Sequence, residues 1–309
     1  MEKRIFLWCV LFLFFTGVFG GNALGYNQNP NLNWGATNIL EGIVPPPGLY
    51  LSSYMVGYHA DTFRDGPPGD HEVHVLVYNP QLLWVSGNTL PGGFQYGVQA
   101  QLPIQSYNLD SEILRAGSGI VGDLIVGPFI GRARPLREDW FLHWFFELST
   151  YAPIGQYDKN AQINPSANYW TVEPYLAVTL QMPKGWSLST RQHFTYNYTN
   201  DEYIAAPGAE ETDLQAGSMW HFNFALSKTL DCINPNLRLG AVGYYGKQLE
   251  KDDIDGVPNR DTKEEVFAIG PGLHWMNKGV IYSLKTYFED NVDHRPDGTR
   301  VVLRIITAF

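Results

Sequence analysis

The sequence predicts an all-β fold: an antiparallel transmembrane β-barrel of the outer-membrane type, with about twelve strands and an irregular N-terminal segment. Three observations lead to this prediction. Segments in which apolar and polar residues alternate recur along the chain, with turn residues between them. The 309 residues are 14% aromatic but only 17% charged, and the mean hydropathy of −0.19 is too polar for a bundle of membrane helices. The chain also ends in an alternating, apolar segment.

The final segment, 301–309, is typical of a strand that closes a barrel. Read with a period of two, one face carries Val301, Leu303, Ile305, Thr307 and Phe309. A terminal aromatic residue resembles the signal that such barrels present to the barrel-assembly machinery, so Phe309 is a candidate assembly signal. The alternative is the last strand of a soluble β-sandwich. A sandwich buries its apolar faces in one core, however, and about twelve such faces exceed what one core uses.

The first 25 residues predict a secretory signal peptide. Basic residues (Lys3 and Arg4) precede an apolar run from 5 to 19, and small residues follow it. Cleavage after Ala23 and cleavage after Gly25 both fit. The apolar run is short for a membrane anchor, which needs about 20 apolar residues. A signal peptide together with a barrel predicts the outer membrane of a Gram-negative bacterium as the location.

Charge and cysteine content exclude several classes of protein. The formal net charge of −10 argues against nucleic acid as a partner. Cys9 lies in the predicted signal peptide, which leaves Cys232 alone in the exported chain. Neither an internal disulfide nor a cysteine-rich metal site is therefore expected.

Residues 26–47 are rich in Asn, Pro and Gly and cannot form a regular strand. They are either a periplasmic tail or a segment folded into the mouth of the barrel, where it would act as a plug or gate. The apolar side chains of this segment, such as Trp34 and Ile39, need a place to be buried and favour the second interpretation. The barrel itself is expected to cover residues 48–309.

Twelve strands follow from the alternation, with Asn79-Pro80 suggesting a bulge in the second. They lie near 48–60, 72–86, 93–104, 119–132, 140–152, 168–182, 185–199, 213–227, 236–249, 264–276, 279–291 and 301–309. The even number fits a single-chain bacterial barrel.

The connections between these strands alternate in length. Those at 182–185 and 276–279 are tight, whereas those between strands 5 and 6, 7 and 8, and 9 and 10 are long and polar. Short turns face the periplasm in such barrels, and long loops face outside. The connection at 229–236 is longer than this rule expects, and that at 293–297 is shorter.

Acidic residues concentrate in the predicted outer loops, where they are either a solvated surface or ligands for divalent cations.

No motif of an enzyme, cofactor site or metal site is present, so catalytic residues, cofactors and bound metals are not expected. His143 and Glu147 share a face, but four residues along a strand separate them by about 13 Å. The expected inner face mixes charged, polar and aromatic side chains. Candidates for the lumen or the solute path are Asp123, Phe141, His143, Phe145, Glu147, Tyr151, Glu173, Tyr175, Arg191, His193, His221, Arg238, Lys285 and Arg304.

Two interpretations of these inner side chains remain open. Twelve strands enclose a narrower interior than the 16–18 strands of wide porins. The rings either line a path for an apolar or aromatic solute, with polar groups orienting it, or simply fill the lumen. The charged groups fit wall-stiffening ion pairs as well as ligands.

The chain resembles a known family of outer-membrane barrels, named for the meta-pathway of phenol degradation. The resemblance lies in the run GATNILEG at 35–42, the run PPPGLY at 45–50, residues 54–61 before a loop, and the order of hairpins to Phe309. It covers nearly the whole exported chain. It implies a transporter of aromatic or other hydrophobic compounds and defines no catalytic residues.

These observations together predict passive uptake of small hydrophobic or aromatic molecules across the outer membrane, with the lipid bilayer as surroundings. The alternative is a structural or surface-interaction barrel with no transport role, in which binding would map to the acidic outer loops.

Overall fold

The computed structural model describes residues 29–66, 68–205, 209–259 and 263–309, so the expected signal peptide lies outside the described residues. The regular secondary structure of the described part consists of strands, apart from one short 3₁₀ turn at Pro183–Gly185. In chain order the strands are β1 (Gly48–Arg64), β2 (His71–Val85), β3 (Gln95–Gln101), β4 (Ile104–Ser111), β5 (Leu124–Arg137), β6 (Trp140–Ala152), β7 (Thr171–Gln181), β8 (Trp186–Asn197), β9 (Thr199–Tyr203), β10 (Thr212–Gln215), β11 (Met219–Leu230), β12 (Asn234–Gln248), β13 (Asp253–Ile254), β14 (Val257–Pro258), β15 (Glu265–Asn277), β16 (Val280–Asp293) and β17 (Arg295–Ala308). No helix of the described residues is long and apolar enough to cross a membrane.

The large sheet closes on itself. Its thirteen strands follow the order β1-β17-β16-β15-β12-β11-β8-β7-β6-β5-β3-β2-β4, and β1 also pairs with β2. Because β3 and β4 occupy one wall position beside β2, the wall has twelve positions. The last strand pairs with the first, with Tyr50 opposite Ala308 and Tyr54 opposite Arg304. The predicted barrel of about twelve antiparallel strands is confirmed.

Side chains alternate between the two faces of the wall, as the period of two predicts. On β8 the inward side chains are buried, whereas four of the six outward ones are apolar and 39–50% exposed. The inward set is Ser187, Ser189, Arg191, His193, Thr195 and Asn197; the four exposed apolar residues are Trp186, Leu188, Phe194 and Tyr196, and the other two outward residues are Thr190 and Gln192. An apolar outer surface over a polar interior is the arrangement that a bilayer selects in a barrel.

The wall is interrupted at Leu102-Pro103, between β3 and β4. Proline has no N–H to donate, so Pro103 cannot supply a ladder hydrogen bond at this point. The predicted single strand at 93–104 is therefore wrong at its outer end, because β4 continues to Ser111 on β2. The bulge predicted at Asn79-Pro80 is also wrong, since β1 and β2 pair without a register shift from Gly48 to Ala60.

Most of the connections follow the short–long alternation, but those at 86–94 and at His294 do not. Lys278 and Gly279 form a two-residue turn with φ values of 50° and 80°, the left-handed conformation that matches the twist of a hairpin. The connection between β11 and β12 is only 231–233, so the long connection expected at 229–236 is wrong; both strands run further than the alternation indicated. A single residue, His294, joins β16 to β17 at the outer end.

The outer loops carry structure of their own. Strands β9, β10, β13 and β14 form a small four-stranded sheet above the barrel. Gln215, which lies in the range predicted for the wall strand at 213–227, belongs to β10 in this sheet. The wall strand starts only at Met219. At Gly217 a side chain would meet the carbonyl oxygen of Glu250 at 2.1 Å, so the chain there packs against the neighbouring loop.

Residues 29–47 run inside the barrel, and we call them the lumen segment. Asn31 near its start bonds the carbonyl of Pro165 in an outer loop. Gly35 and Asn38 bond wall residues near mid-height, and Gly42 bonds Thr179 on β7. The segment then reaches the periplasmic end, where β1 begins at Gly48.

Candidate functional site

The lumen segment is held by an ion pair at its one charged residue. Glu41 accepts a hydrogen bond from Arg304 Nη1 on β17 at 2.5 Å, and Arg191 Nη1 on β8 lies 4.0 Å from its other carboxylate oxygen. The three side chains are 6–13% exposed. A carboxylate between two guanidinium groups balances charge that would otherwise be costly to bury.

Further bonds fix the middle of the lumen segment. Tyr287, which is fully buried, places its hydroxyl 2.7 Å from the carbonyl of Gly35 and 2.6 Å from Asn38 Oδ1. Lys285 Nζ donates to the carbonyl of Ala36. At Gly35, with φ of 69°, a side chain would meet the Tyr287 ring at 2.7 Å, so glycine is required for this close approach.

A first cavity, the outer cavity, has a volume of about 230 Å³ and lies in the outer half of the barrel. The start of the lumen segment forms one side of it. Its charged lining residues are Glu173, Arg191, Glu264, Arg295 and Arg300. Tyrosines and valines of β1 and β2 complete the wall, so the lining is mixed in polarity.

Cations of the outer cavity lie over aromatic rings. The guanidinium of Arg295 is 4.8 Å from the Trp34 ring centre, and that of Arg300 is 4.7 Å from the Tyr58 ring centre. Arg295 also approaches Glu264 at 3.6 Å and Glu289 at 3.5 Å. Such contacts stabilise a desolvated guanidinium.

A second cavity, the inner cavity, has a volume of about 410 Å³ and lies in the periplasmic half. Its lining is mainly apolar and aromatic, with a few polar groups at defined points. The apolar residues include Ile39, Leu40, Ile43, Val44, Leu83, Phe129, Phe145, Tyr175, Met276 and Ile281. Its charged groups are Glu41, Glu147, Arg191, Arg238 and Arg304. A concave apolar lining with few polar groups is the usual form of a small-molecule site.

Arg191 stands between the two cavities and lines both, as Gln81 does. Its guanidinium lies 3.9 Å from the ring centre of Tyr175, and Nη1 donates to Thr37 Oγ1 at 3.1 Å. One side chain thereby joins the wall, the lumen segment and the aromatic lining.

Eight of the predicted lumen residues line a cavity. Tyr151 and Glu173 line the outer one, Phe145, Glu147, Tyr175, Arg238 and Arg304 line the inner one, and Arg191 lines both. Glu147 accepts hydrogen bonds from Gln99 at 2.5 Å and from Ser149 at 2.7 Å. Arg238 bonds Thr229 and Ser187 near the periplasmic end.

The other six predicted residues lie outside both linings, for physical reasons that differ. Asp123 precedes β5 and holds the loop at 153–170 through Ser166 Oγ, Ala167 N and Gly155 N. Burial raises the pKa of its carboxyl group, although these hydrogen bonds act to lower it.

The other five residues lie elsewhere on the wall. Phe141 is 43% exposed at the periplasmic rim. The His143 ring forms a hydrogen bond with Gln181, and the Lys285 ammonium donates to the carbonyl oxygen of Ala36. His193 and His221 bond Glu173.

Sequence reasoning missed Glu41 as a site residue. The sequence could have indicated it, because Glu41 is the only charged residue between 26 and 47. Gln81 and the tyrosines Tyr54 and Tyr58 of β1 were also missed. Only the closed wall reveals that they face the same space.

The chain matches the profile of a protein family over residues 56–305. The family is described as "Putative MetA-pathway of phenol degradation". The chain belongs to this family. The match confirms the resemblance inferred from residues 35–61 and the order of hairpins.

Comparison of structures identifies the same architecture. A crystal structure of an outer membrane channel from Pseudomonas putida F1 superposes with a TM-score of 0.73 at 17% identity, covering 91% of this chain and 100% of that one. The β domain of the Bordetella autotransporter BrkA gives 0.48 at 10% identity (86% and 100%), and the KdgM porin gives 0.41 at 8% (84% and 99%). The first likeness shows the fold, and the other two support no inference. No curated protein sequence matches the chain.

Proposed function

We propose that this member of the family is a passive outer-membrane channel for small hydrophobic or aromatic compounds. The observation that carries the proposal is the inner cavity. Its volume of about 410 Å³ falls within the range of small-molecule sites, and rings such as Phe129 and Phe145 line it. Lipid surrounds the wall in this proposal, as the exposed apolar side chains require.

The order of the two cavities supports a direction of passage. A solute would meet the mixed lining of the outer cavity first and then the apolar inner cavity, with Arg191 between them. Neighbouring rings make edge contacts along the inner wall, with 5.8 Å between Phe129 and Phe145 and 5.7 Å between Phe145 and Tyr175. Ring faces and edges of this kind accommodate a planar aromatic solute.

The family and fold agree with this function. The family's description refers to phenol degradation, and the similar structure from Pseudomonas putida is an outer membrane channel. Export by a signal peptide at 1–25, insertion by the barrel-assembly machinery and residence in a Gram-negative outer membrane belong to the same proposal.

The test is solute uptake by liposomes that contain the refolded protein. Phenol, toluene, a long-chain fatty acid and a sugar are compared, with the rate in protein-free liposomes subtracted for each. We expect faster uptake of an apolar class and no change for the sugar. Lack of uptake of every solute by a protein with the heat-modifiable mobility of a folded barrel would favour a structural or surface-interaction role.

A further inference from the structure

Three side chains with metal-ligand chemistry converge on the inner face of the wall. Glu173 on β7, His193 on β8 and His221 on β11 offer ligand atoms that all lie within 4.8 Å of one another. They are 2%, 1% and 0% exposed. The sequence showed no such site, because 48 residues separate Glu173 from His221.

Pairing of adjacent strands creates the cluster. His193 and His221 are direct partners across β8 and β11, and Tyr175 is the partner of His193 on β7. Glu173 lies one inward position beyond Tyr175, towards the outer end. Three ligands on three hydrogen-bonded strands need little ordering when an ion binds, since the wall has fixed their backbones already.

Two of the distances between donor atoms are close to those around a tetrahedral ion. Nδ1 of His193 lies 2.8 Å from Glu173 Oε1, and Nε2 of His221 lies 3.2 Å from Oε2. Ligand bonds of about 2.0–2.1 Å in a tetrahedral zinc site place neighbouring donor atoms about 3.3 Å apart. The imidazole rings are stacked, with centres 4.3 Å apart and planes at 11°, and each ring directs one nitrogen to a different oxygen of the same carboxylate.

The hydrogen bonds of the two imidazole rings are directed to Glu173. His193 Nε2 and His221 Nδ1 are buried and have no hydrogen-bond partner among the described residues. Each ring therefore makes its hydrogen bond through the nitrogen that faces Glu173, and the ligand atoms of the three residues lie within 4.8 Å of one another.

The surroundings provide orientation and access. The Tyr151 hydroxyl donates to Glu173 Oε1 at 3.2 Å and orients the carboxylate, as outer partners do at metal sites. Glu173 and Tyr151 line the outer cavity, which offers a route for an ion. The nearby cation Arg191 is directed to Tyr175, Thr37 and Glu41 instead.

We infer that Glu173, His193 and His221 form a binding site for a divalent transition-metal ion of the Zn²⁺ class. Two imidazole nitrogens and one carboxylate are a ligand set that zinc accepts, with a further position left for another ligand. Such an ion would tie β7, β8 and β11 together beside the outer cavity. This site is independent of the solute that the channel carries.

The chain offers an internal control. His59, Glu72 and His74 form a second group on the outward face of β1 and β2, with 3.0 Å between His74 Nε2 and Glu72 Oε1. Its side chains are 47–50% exposed, so holding them around an ion costs side-chain freedom that the buried group has already lost.

The test is titration of the metal-free, refolded protein with Co²⁺, whose visible absorption is strong in tetrahedral sites. We expect one ion per chain and displacement by Zn²⁺. Binding should weaken about tenfold or more in Glu173→Gln and in His193→Asn, and stay unchanged in the surface variant His59→Asn/His74→Asn. Glu173→Gln keeps the shape and an acceptor, so it tests the site even where a histidine variant fails to fold. Absence of absorption in the folded wild type, or absorption retained in Glu173→Gln, overturns the inference.

Discussion

The backbone N–H of Gly42 donates to Thr179 Oγ1 at 2.8 Å, which brings the lumen segment against the backbone of β7. A Cβ atom at Gly42 would lie 2.3 Å from Thr179 N and 2.7 Å from the carbonyl oxygen of His143. Both obstacles are backbone atoms of the wall, which cannot rotate away. The lumen segment therefore follows this path only because residue 42 has no side chain.

Gly42→Ala is expected to lower the free energy of unfolding by about 1–3 kcal/mol, because the segment must move off β7. The measurement is urea unfolding in detergent micelles. Gly87→Ala is the matched control, since nothing lies within 4 Å of a Cβ there and a change within about 0.5 kcal/mol is expected. Equal effects of the two substitutions would show that the segment does not press on the wall.

Glu41→Gln is expected to make the lumen more selective for anions. The substitution leaves Arg304 and Arg191 without their carboxylate partner. Removing one partner of a fully buried pair costs about 3–5 kcal/mol, and less is expected here because Glu41 and Arg304 are 11% and 13% exposed. The reversal potential of single channels under a KCl gradient reports the selectivity. Glu72→Gln, on the outer surface, is the control; a shift towards cations in Glu41→Gln would contradict the assignment.

Deletion of Phe309 is expected to reduce insertion in cells several-fold without changing the stability of the folded barrel. The side chain is 77% exposed, and the residue is tied to β1 through its N–H to the Leu49 carbonyl at 3.0 Å. Packing therefore gains little from the ring, and any loss reflects recognition by the assembly machinery. Heat-modifiable mobility in membranes measures insertion, with Phe309→Tyr as the aromatic control. Normal insertion of the deletion variant would refute the role as a signal.

Glu264, at the outer end before β15, is expected to make stability depend on pH. Burial raises the pKa of its carboxyl group to about 7, even though the positive charge of Arg295 acts to lower this pKa. The folded protein then holds a proton that the unfolded chain releases above about pH 4.5, so stability falls as pH rises from about 4.5 to 7. One titrating group can change the free energy of unfolding by at most about 1.4 kcal/mol per pH unit.

Unfolding free energies at pH 5 and about pH 7 measure this contribution. Glu264→Gln should remove it, whereas Glu250→Gln in the exposed loop should leave it unchanged. The same pH dependence in wild type and Glu264→Gln would assign the effect to another group.

Much of the wall could be predicted from the sequence, because each strand faces only lipid or lumen. The polarity of a side chain such as Leu188 or Ser189 is therefore enough to predict which face of the wall it lies on. The pairing of β1 with β17 was predicted from the alternating, apolar segment at 301–309. The break at Leu102-Pro103 was missed because the alternation in polarity continues across it, with Ile104 outward and Gln105 buried.

The candidate site was less predictable because it depends on contacts between distant residues. Glu41 meets Arg304 across 263 positions, and His221 meets Glu173 across 48. Local patterns carry no information about such pairs. The inward orientation of Glu173, Arg191 and His193 was correct, but their partners depend on strand register and on the course of the lumen segment.

The most direct test of the proposed channel uses two neighbouring serines of β1. Ser52 is 1% exposed and lines the inner cavity, whereas Ser53 is on the opposite face of the same strand. Uptake of toluene by liposomes is measured for Ser52→Trp and Ser53→Trp, both shown to be folded by heat-modifiable mobility. If solutes pass through the inner cavity, Ser52→Trp lowers the protein-dependent rate about tenfold or more while Ser53→Trp keeps it, because a bulky ring fills only the first position. Equal rates in both variants would contradict a path through the lumen.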